Sequence, residues 1–497
     1  MKVIDQSVKE IEEEVKKFES KPKEEEIGWA TEVRDQIVQI KGLKNVGFGE
    51  ILVFDEGVEA MVIDMTEDSV GAIVLGDYLL LKAGSVTKAT GRTLQIPVTD
   101  DILGRVVNPL VHPEDGGKNI SSDKLAPVER IAPGVIYRKS VTVPLQTGIK
   151  AIDSLIPIGR GQRELIIGDR GTGKTTIAVD AILNQKKENA ICIYCAIGQK
   201  NSTIASIIEL LRKGKALDYT VVVAASASSP ATLQYLAPYS ATAIGEYFMG
   251  QGKDVLIIYD DLTKHAWAYR EISLILRRPA GREAFPGDIF YLHSRLLERS
   301  CRIDEKYGGG SMTALPIVQT LEGDVSAYIP TNIISITDGQ IFLESELFNA
   351  GVRPAINVGL SVSRVGSAAQ TKAMKQVSGR LKLDLAQYRE MAAFSQFESD
   401  LDEATKKLLN RGARTTQVLI QGKNKPYDLA SEIAVIWAAV NGHLDTVPVD
   451  EVAKFEKKYL EDLNARGKAL MTRINKNKTL SKEDEEELKK FVKDNIV

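Results

Sequence analysis

The chain has 497 residues, 43% of them hydrophobic and 26% charged, which is an ordinary balance for a globular protein of about three domains. Its formal net charge of −3 argues against a nucleic-acid-binding protein, which would usually carry a basic excess. The sequence has neither a run of about 20 apolar residues nor a recognisable leader, so it predicts a cytosolic protein that meets a membrane only through partners.

Residues 1–27 are predicted to form an amphipathic helix followed by a charged linker. Apolar residues recur at helical spacing along residues 2–19, namely Ile4, Val8, Ile11, Val15 and Phe18. The intervening residues are mostly Lys and Glu, and so narrow an apolar stripe suits docking on a partner helix. The alternative is a helix that packs on its own domain.

Residues 28–94 are predicted to form a small β-barrel. Short apolar stretches at 33–40, 50–54, 59–63 and 70–75 are separated by Gly, Asn and Asp. Several short strands with regular turn signals are typical of barrels. No candidate catalytic residue lies in this region, so we expect its role to be structural.

Residues 95–374 are predicted to form a parallel sheet covered by helices, because strands and helices alternate there. The predicted strands are 190–197, 220–225, 255–260 and 313–320, and the predicted helices are 202–213, 229–248, 264–278 and 289–302. Cys192 and Cys195 lie in the first of these strands, where we expect core cysteines rather than a redox or metal pair. Residues 375–497 are predicted to be almost entirely helical.

The segment from Gly168 to Thr175 fits the phosphate-binding pattern G-x-x-x-x-G-K-[ST], between a short apolar strand and a predicted helix. Its backbone N–H groups would bind the phosphates of ATP or ADP. Lys174 would reach the β- and γ-phosphates, and the Thr175 hydroxyl would bind Mg²⁺. The candidate nucleotide-binding residues in this segment are Gly168, Asp169, Arg170, Gly171, Thr172, Gly173, Lys174 and Thr175.

Two residues that follow other strands are predicted to complete the nucleotide site. Asp260 ends an apolar strand and would bind Mg²⁺ through water at the carboxyl edge of the sheet, whereas its neighbour Asp261 better fits a helix cap. Gln199 stands where P-loop motors of this type usually carry an acid that activates water. An amide can hydrogen-bond but cannot act as a carboxylate base. The sequence therefore predicts a nucleotide pocket without its expected base.

Arg364 follows a Ser-rich segment far from the phosphate-binding loop in sequence. Such an arginine could act in trans, as an arginine finger on the nucleotide of a neighbouring subunit. It could equally form a surface salt bridge, and its spacing alone does not decide between the two.

These motifs together resemble those of the alpha subunits of F-type ATP synthases, and the similarity covers nearly the whole chain. It rests on the segments 168–175, 196–200, 259–262, 286–295, 354–363 and 394–402. The resemblance implies a six-stranded N-terminal β-barrel, a central RecA-like α/β P-loop domain and a C-terminal α-helical bundle. The implied domain bounds are 1–27, 28–94, 95–374 and 375–497.

The same resemblance implies an assembly and a place in the cell. Alternating α and β subunits would form a hexamer around a γ stalk, and ATP synthesis or hydrolysis would be coupled to proton or sodium transport. The N-terminal helix would meet the δ and peripheral-stalk b subunits, and the segment 394–402 would lie close to γ. The protein would be a peripheral one on the cytoplasmic face of a bacterial membrane.

Individual residues also take roles from the resemblance. Arg364 matches the arginine finger that reaches the catalytic site of the adjacent β subunit, and Ser361 matches a position that the family needs for activity. Arg353, Pro354 and Gln421 should lie near the adenine. The α pocket of the family binds Mg-ATP without turning it over, in agreement with the neutral Gln199.

Two positions depart from the family pattern. Gly171 stands where the loop usually carries Gln, and Lys423 stands where a second adenine-side Gln is expected. Two other functions would fit the same phosphate-binding loop. A self-sufficient ATPase, of the β type or the flagellar export type, would carry Glu in place of Gln199. An RNA translocase of the Rho type would need a basic, aromatic RNA-binding domain, and residues 28–93 are neither.

Overall fold

The computed structural model describes residues 26–394 and 402–496. The chain divides into two compact units, one up to Leu94 and the other from Gln95 onward. The predicted helix at residues 2–19 and residues 395–401 lie outside the described part, so the expectations for both stay predictions.

The first unit is a closed antiparallel β-barrel. Its strands are β1 (Ile27–Arg34), β2 (Ile37–Lys41), β3 (Glu50–Phe54), β4 (Glu59–Met65), β5 (Val70–Val74) and β6 (Val86–Thr93). They pair in the order β1-β2-β5-β4-β3-β6, and β6 closes the barrel on β1. Val38, Leu52 and Val62 are among the fully buried residues that fill its interior. The predicted six-stranded barrel is confirmed.

The second unit contains twelve further strands among the described residues. They are β7 (Gln95–Pro97), β8 (Val106–Val107), β9 (Leu125–Pro127), β10 (Pro144–Leu145), β11 (Ile158–Gly159), β12 (Leu165–Gly168), β13 (Ile191–Gln199), β14 (Thr220–Ser226), β15 (Asp254–Asp260), β16 (Ser311–Gln319), β17 (Gly339–Leu343) and β18 (Val362–Ser363). Eight of them form one sheet in the order β18-β17-β12-β16-β15-β13-β14-β8. Its neighbouring strands are parallel, except that β18 is antiparallel to β17.

Helices follow the strands along the sheet. They are α1 (Lys150–Leu155), α2 (Lys174–Asn184), α3 (Asn201–Lys213), α4 (Ala231–Met249), α5 (Leu262–Ile275), α6 (Ile289–Leu297), α7 (Tyr328–Ile336) and α8 (Ser345–Asn349). Strands β13 and β16 are buried except at their last residues, which explains why they read as continuous apolar runs. Cys192 and Cys195 are buried core residues, as expected.

One predicted helix is shorter than expected. The helix predicted over 289–302 ends at Leu297. The chain then turns inward, because the buried guanidinium of Arg299 donates to both carboxylate oxygens of Glu246 and to the Val128 carbonyl. Side-chain burial of this kind is a tertiary effect that helical spacing in the sequence does not report.

The described residues beyond 371 are mostly helical, in line with the predicted helical region. The helices are α9 (Lys372–Ser378), α10 (Leu381–Phe394), α11 (Glu403–Leu419), α12 (Leu429–Val440), α13 (Val452–Ala465), α14 (Lys468–Asn477) and α15 (Lys482–Asn495). Helix α15 begins with a capping box between Ser481 and Asp484. One continuous apolar core runs from the sheet into these helices, and the division between residues 374 and 375 therefore stays a prediction. Among the described helices, none is both long and apolar enough to cross a bilayer.

Helices α10 and α11 approach closely at Gly412, and we predict that this glycine is required for stability. A Cβ atom there would lie 2.3 Å from the Tyr388 ring. Gly412→Ala should lower the free energy of unfolding by about 1–3 kcal/mol, as overpacked sites do, and denaturant titration would measure it. The matched control is Gly287→Ala, where nothing lies within 4 Å of the added atom. Equal stability of the two variants would mean that the helices separate without penalty.

Candidate functional site

The loop between β12 and α2 presents uncapped backbone donors. Gly171 and Gly173 have left-handed φ values of 84° and 102°, which side chains with a Cβ adopt only with strain. No side chain caps the N-terminus of α2, and no acidic residue lies in its first turn. The first N–H groups of the helix are therefore directed out of the loop, with the positive end of the helix dipole behind them. This arrangement can bind an anion.

Lys174, the first residue of α2, is largely buried in this loop. Its ammonium donates to the carbonyls of Gly168 at 2.7 Å and Asp169 at 2.6 Å. Burial lowers the pKa of Lys174, and the nearby carboxylates of Asp261, Asp260 and Asp169 oppose that shift. The positive charge thus stands at the centre of the loop, surrounded by acidic groups.

The side chain of Asp169 connects the loop to neighbouring segments of the chain by hydrogen bonds. Its carboxylate accepts hydrogen bonds from the hydroxyl of Thr320 at 2.7 Å, the N–H of Gly323 at 2.9 Å and the hydroxyl of Ser345 at 3.1 Å. Burial acts to raise the pKa of Asp169, but these hydrogen bonds outweigh it and hold the pKa below its ordinary value. The adjacent Arg170 is exposed, and its side chain pairs with none of the described residues.

The carboxylate of Asp260, at the end of β15, accepts hydrogen bonds from three side chains on two other elements. Thr175 on α2 and Tyr194 on β13 donate to its Oδ2 at 2.8 Å and 2.7 Å, and the Gln199 amide donates to Oδ1 at 2.8 Å. The structure therefore brings together Thr175, Gln199 and Asp260, which are separated in the sequence. Hydroxyl and carboxylate oxygens are ligands that Mg²⁺ prefers, so this pair fits that ion.

Tyr194 is a member of this cluster that sequence reasoning missed. It is fully buried, and both burial and the Asp260 carboxylate raise its pKa. In the parallel pairing of β13 with β15, Ala196 lies opposite Asp260. Tyr194 lies two residues earlier and therefore on the same face of the sheet. Knowing the strand order would have been enough to find it.

Asp261 has the capping role that was expected of it. Its side chain accepts the N–H of Lys264 at 2.8 Å at the start of α5. Burial, and after it the negative charge of Asp260, raise the pKa of Asp261 to about 6.

A cavity of about 470 Å³ adjoins the phosphate-binding loop. The residues that line it are Ile149, Gly171, Thr172, Gly173, Thr176, Ile177, Asp180, Phe348, Arg353, Pro354, Ala355, Gln421, Gly422 and Lys423. The structure thus places Gly171, Thr172 and Gly173 of the loop around one space with the predicted adenine-side residues Arg353, Pro354 and Gln421. The Arg353 guanidinium lies 4.6 Å from the centre of the Phe348 ring, an aromatic wall that the sequence did not reveal. Apolar walls with a few polar groups suit a small flat ligand.

Gln421 holds the walls of this cavity together. Its amide donates to the carbonyls of Gly148 at 2.7 Å and Lys425 at 2.9 Å, and its oxygen accepts the N–H of Lys150 at 3.0 Å. Both ends of the amide are therefore occupied by backbone groups. The exposed Lys423, two residues later, lies at the rim with its ammonium outside any described ion pair.

Arg364 lies at the other end of the sheet. Strand β17 is parallel to β12, and the N–H of Arg364 donates at 2.8 Å to the carbonyl of Asp338, just before β17. Asp338 is in turn bonded to Arg163 before β12, whereas the phosphate-binding loop follows Gly168. The strand from Arg163 to Gly168, at about 3.3 Å per residue, therefore separates Arg364 from the phosphate-binding loop by roughly 16 Å. Arg364 is therefore not part of the cavity described above.

The guanidinium of Arg364 is exposed. Within residues 26–394 and 402–496 it forms no hydrogen bond and no ion pair of 4 Å or less. Leu360 and Val362 close by are 51% and 41% exposed, which is high for apolar side chains. An exposed cation among exposed apolar residues is typical of a contact surface.

Ser361 holds the turn that carries this arginine. It is fully buried, and its hydroxyl donates to the Asn357 carbonyl at 2.6 Å and accepts the N–H of Phe342 at 2.9 Å. The ammonium of Lys382 donates to the Ser361 carbonyl at 2.9 Å. The Ser361 hydroxyl is thus fully engaged within the chain and positions the segment before Arg364.

Comparisons with known proteins agree with this geometry. Residues 148–363 match the ATP synthase alpha/beta family, nucleotide-binding domain, and residues 370–495 match the ATP synthase alpha/beta chain, C terminal domain. The ATP synthase subunit alpha of Petrotoga mobilis is 56% identical over 492 residues, which is 98% of this chain and 97% of the relative. The ATP synthase subunit alpha of Dehalococcoides mccartyi is 55% identical over 485 residues, 97% of this chain and 96% of the relative.

We predict that a glutamine at position 171 tightens binding of Mg-nucleotide to the isolated chain. Its amide would add about one hydrogen bond near the phosphates, worth about 0.5–1.5 kcal/mol. Any side chain there bears the strain of a φ of 84°, although the space around the Cβ is open. The matched control is therefore Gly171→Ala, which bears the same strain without the amide. Isothermal titration of Gly171→Gln and Gly171→Ala with Mg-ADP should show the Gln variant binding more tightly, and equal affinities would mean that the amide is irrelevant.

Proposed function

The chain belongs to the ATP synthase alpha/beta family, as an alpha subunit of the F-type enzyme, and from that membership we propose how two separate sites on it divide the work. Its own cavity holds Mg-nucleotide without turning it over. Its Arg364 completes the catalytic site of an adjacent β subunit. The chain thereby takes part in ATP synthesis and hydrolysis coupled to ion transport.

The observation that carries this proposal is the position of Arg364. The guanidinium lies at the amino end of the sheet strands, away from the chain's own phosphate-binding loop at the carboxyl end. It is exposed and flanked by the exposed side chains of Leu360 and Val362. A cation in this position cannot contact a nucleotide in the chain's own cavity, but it is available to a molecule packed against this surface.

The chemistry of the chain's own cavity supports nucleotide binding without hydrolysis. The backbone N–H groups of the loop and the ammonium of Lys174 bind the phosphates, and apolar walls with Arg353 and Pro354 accept the base. Thr175 and Asp260 would hold Mg²⁺, which when bound with the nucleotide offsets phosphate charge.

The position at which a water-activating carboxylate is expected carries Gln199 in this chain. Gln199 donates its amide N–H to Asp260 and has no carboxylate to accept a proton. Asp261, the carboxylate next in the chain, is committed to capping α5. Nucleotide in this site therefore serves to hold the loop and its neighbouring elements in place.

At the β subunit, the Arg364 guanidinium would meet the charge that develops on the transferring phosphoryl group. Its planar donors can bind two oxygens at once, which a lysine cannot do. We further propose that the partners include γ, and the δ and b subunits through the N-terminal segment. The assembled protein would act at the cytoplasmic face of a bacterial membrane. Its membership as an alpha subunit leaves the self-sufficient ATPase and the RNA translocase without a supporting observation.

We predict that the purified chain binds Mg-ATP but shows no steady turnover, because Gln199 occupies the position of the expected carboxylate base. Equilibrium binding and phosphate release would be measured on the same sample. Lys174→Ala should abolish the binding, since the loop then loses its only lysine. Steady turnover by the chain alone that disappears in Lys174→Ala would overturn the proposal.

We predict that Arg364→Ala in the reconstituted complex lowers turnover about 10³-fold or more, the range for removal of an arginine finger. Nucleotide binding to the isolated variant should be unchanged, because Arg364 lies outside the cavity. Arg364→Lys should recover little, since it keeps the charge but not the planar fork. Arg92→Ala, an exposed arginine in the barrel, is the matched control and should keep full turnover. Full turnover of Arg364→Ala would mean that this arginine has no part in catalysis.

A further inference from the structure

A buried carboxyl lies beneath the strand that carries Arg364. Glu164, just before β12, is fully buried. Its Oε2 accepts the Gln162 amide at 2.7 Å, while its Oε1 has no hydrogen-bond partner. The proposed function does not use this group.

The carboxyl of Glu164 lies beside Gly339, the first residue of β17. A Cβ atom on Gly339 would lie 2.5 Å from Oε2 of Glu164 and 2.2 Å from the carbonyl oxygen of Val362. Any larger residue at position 339 would therefore clash with both the Glu164 carboxyl and the backbone of β18. In the antiparallel pairing, Gly339 lies opposite Ser363, the residue before Arg364. The same Gln162 amide that donates to Glu164 also donates to the Ser363 hydroxyl at 3.1 Å.

The other carboxylates in this region are already paired. Asp338 accepts from Nε and Nη2 of Arg163, both at 2.9 Å, and from the Arg163 N–H at 3.0 Å. Glu298 pairs with Arg163 and, at 3.1 Å, with Arg138. Among the described carboxyls of this cluster, Glu164 alone keeps an oxygen without a partner.

Two charged groups act on Glu164 from neighbouring elements. Burial dominates and raises its pKa well above the ordinary value, and the negative charge of Asp338 acts in the same direction. The Gln162 hydrogen bond and the positive charge of Arg364 oppose the shift. The raised pKa favours the neutral carboxyl, which becomes charged as the pH rises.

We propose that Glu164 is a positioning residue for Arg364: as a neutral carboxyl it leaves the guanidinium extended toward the neighbouring subunit, and as a carboxylate it draws the guanidinium back onto its free Oε1. The inference rests on the proposed role of Arg364 in the adjacent catalytic site. Ionisation releases a proton to solvent and leaves a buried negative charge, and an arginine that moves onto it offsets the desolvation penalty. The same movement removes the cation from the neighbour's phosphates.

The test is the pH profile of ATP hydrolysis by the reconstituted complex, between about pH 6 and pH 10. Wild-type turnover should fall on the alkaline side. Glu164→Gln, which has the same shape but cannot ionise, should match wild type near neutral pH and keep its turnover to about one pH unit higher or more. Glu164→Met, also unable to ionise, should extend the alkaline range in the same way. It provides a second measurement if the Glu164→Gln variant does not assemble.

Two controls separate positioning from a structural role. Glu298→Gln makes the same chemical change at a carboxyl that two arginines already hold, and should keep the wild-type shape of the profile. In an Arg364→Ala background, Glu164→Gln should leave the shape of the profile unchanged, because the group it positions is gone.

The outcomes are distinct. Profiles of wild type and Glu164→Gln that superimpose would overturn the inference. A loss by the same factor at every pH would do so as well, since it would mean a purely structural role. Full turnover of Arg364→Ala alone would overturn the proposed function itself, whereas a large loss in Arg364→Ala without any change of profile in Glu164→Gln would overturn only the inference about Glu164.

Discussion

The polarity of the parallel sheet is the constraint on which both sites depend. Parallel strands present all their carboxyl ends on one edge. The loop after β12 and the carboxylate that ends β15 therefore meet there, although they are far apart in the sequence. The antiparallel β18 runs back along β17 and places Arg364 at the opposite edge. A chain with this topology cannot apply that arginine to a nucleotide in its own cavity, so the role proposed for the arginine requires a second subunit.

At the carboxyl edge, Asp260 links side chains of three elements, β15, β13 and α2, into one cluster. Because Thr175, Tyr194 and Gln199 all donate to it, the carboxylate is held in one orientation. The same hydrogen bonds occupy the amide of Gln199. A carboxylate in place of that amide would face Asp260 as a like charge, which raises the pKa of one of the two acids. The neutral residue therefore both removes a base and relieves that repulsion.

The sequence predicted the architecture and the phosphate-binding loop well, because both depend on local patterns. Alternating apolar runs gave the strands from 190 to 320, and the glycines with Lys174 and Thr175 gave the loop. The contributions of Tyr194, Phe348 and Glu164 could not be predicted, since each depends on strand order or on a side chain that crosses between elements. Ser361 and Gln421 were expected near function, but the structure gives both a supporting role that only their hydrogen-bond partners reveal.

The helices beyond residue 371 help to hold the wall of the nucleotide cavity. Gln421 bonds the N–H of Lys150, and the ammonium of Lys150 is fully buried against Glu456 on α13 and the ring of Tyr427. A buried charge that loses its partner is costly, by about 3–5 kcal/mol, so α1 and α13 are strongly coupled. Movement of the C-terminal helices would therefore shift α1 and, through Gln421, the cavity wall. The continuous core between the two regions has the same consequence, because close-packed groups transmit displacement.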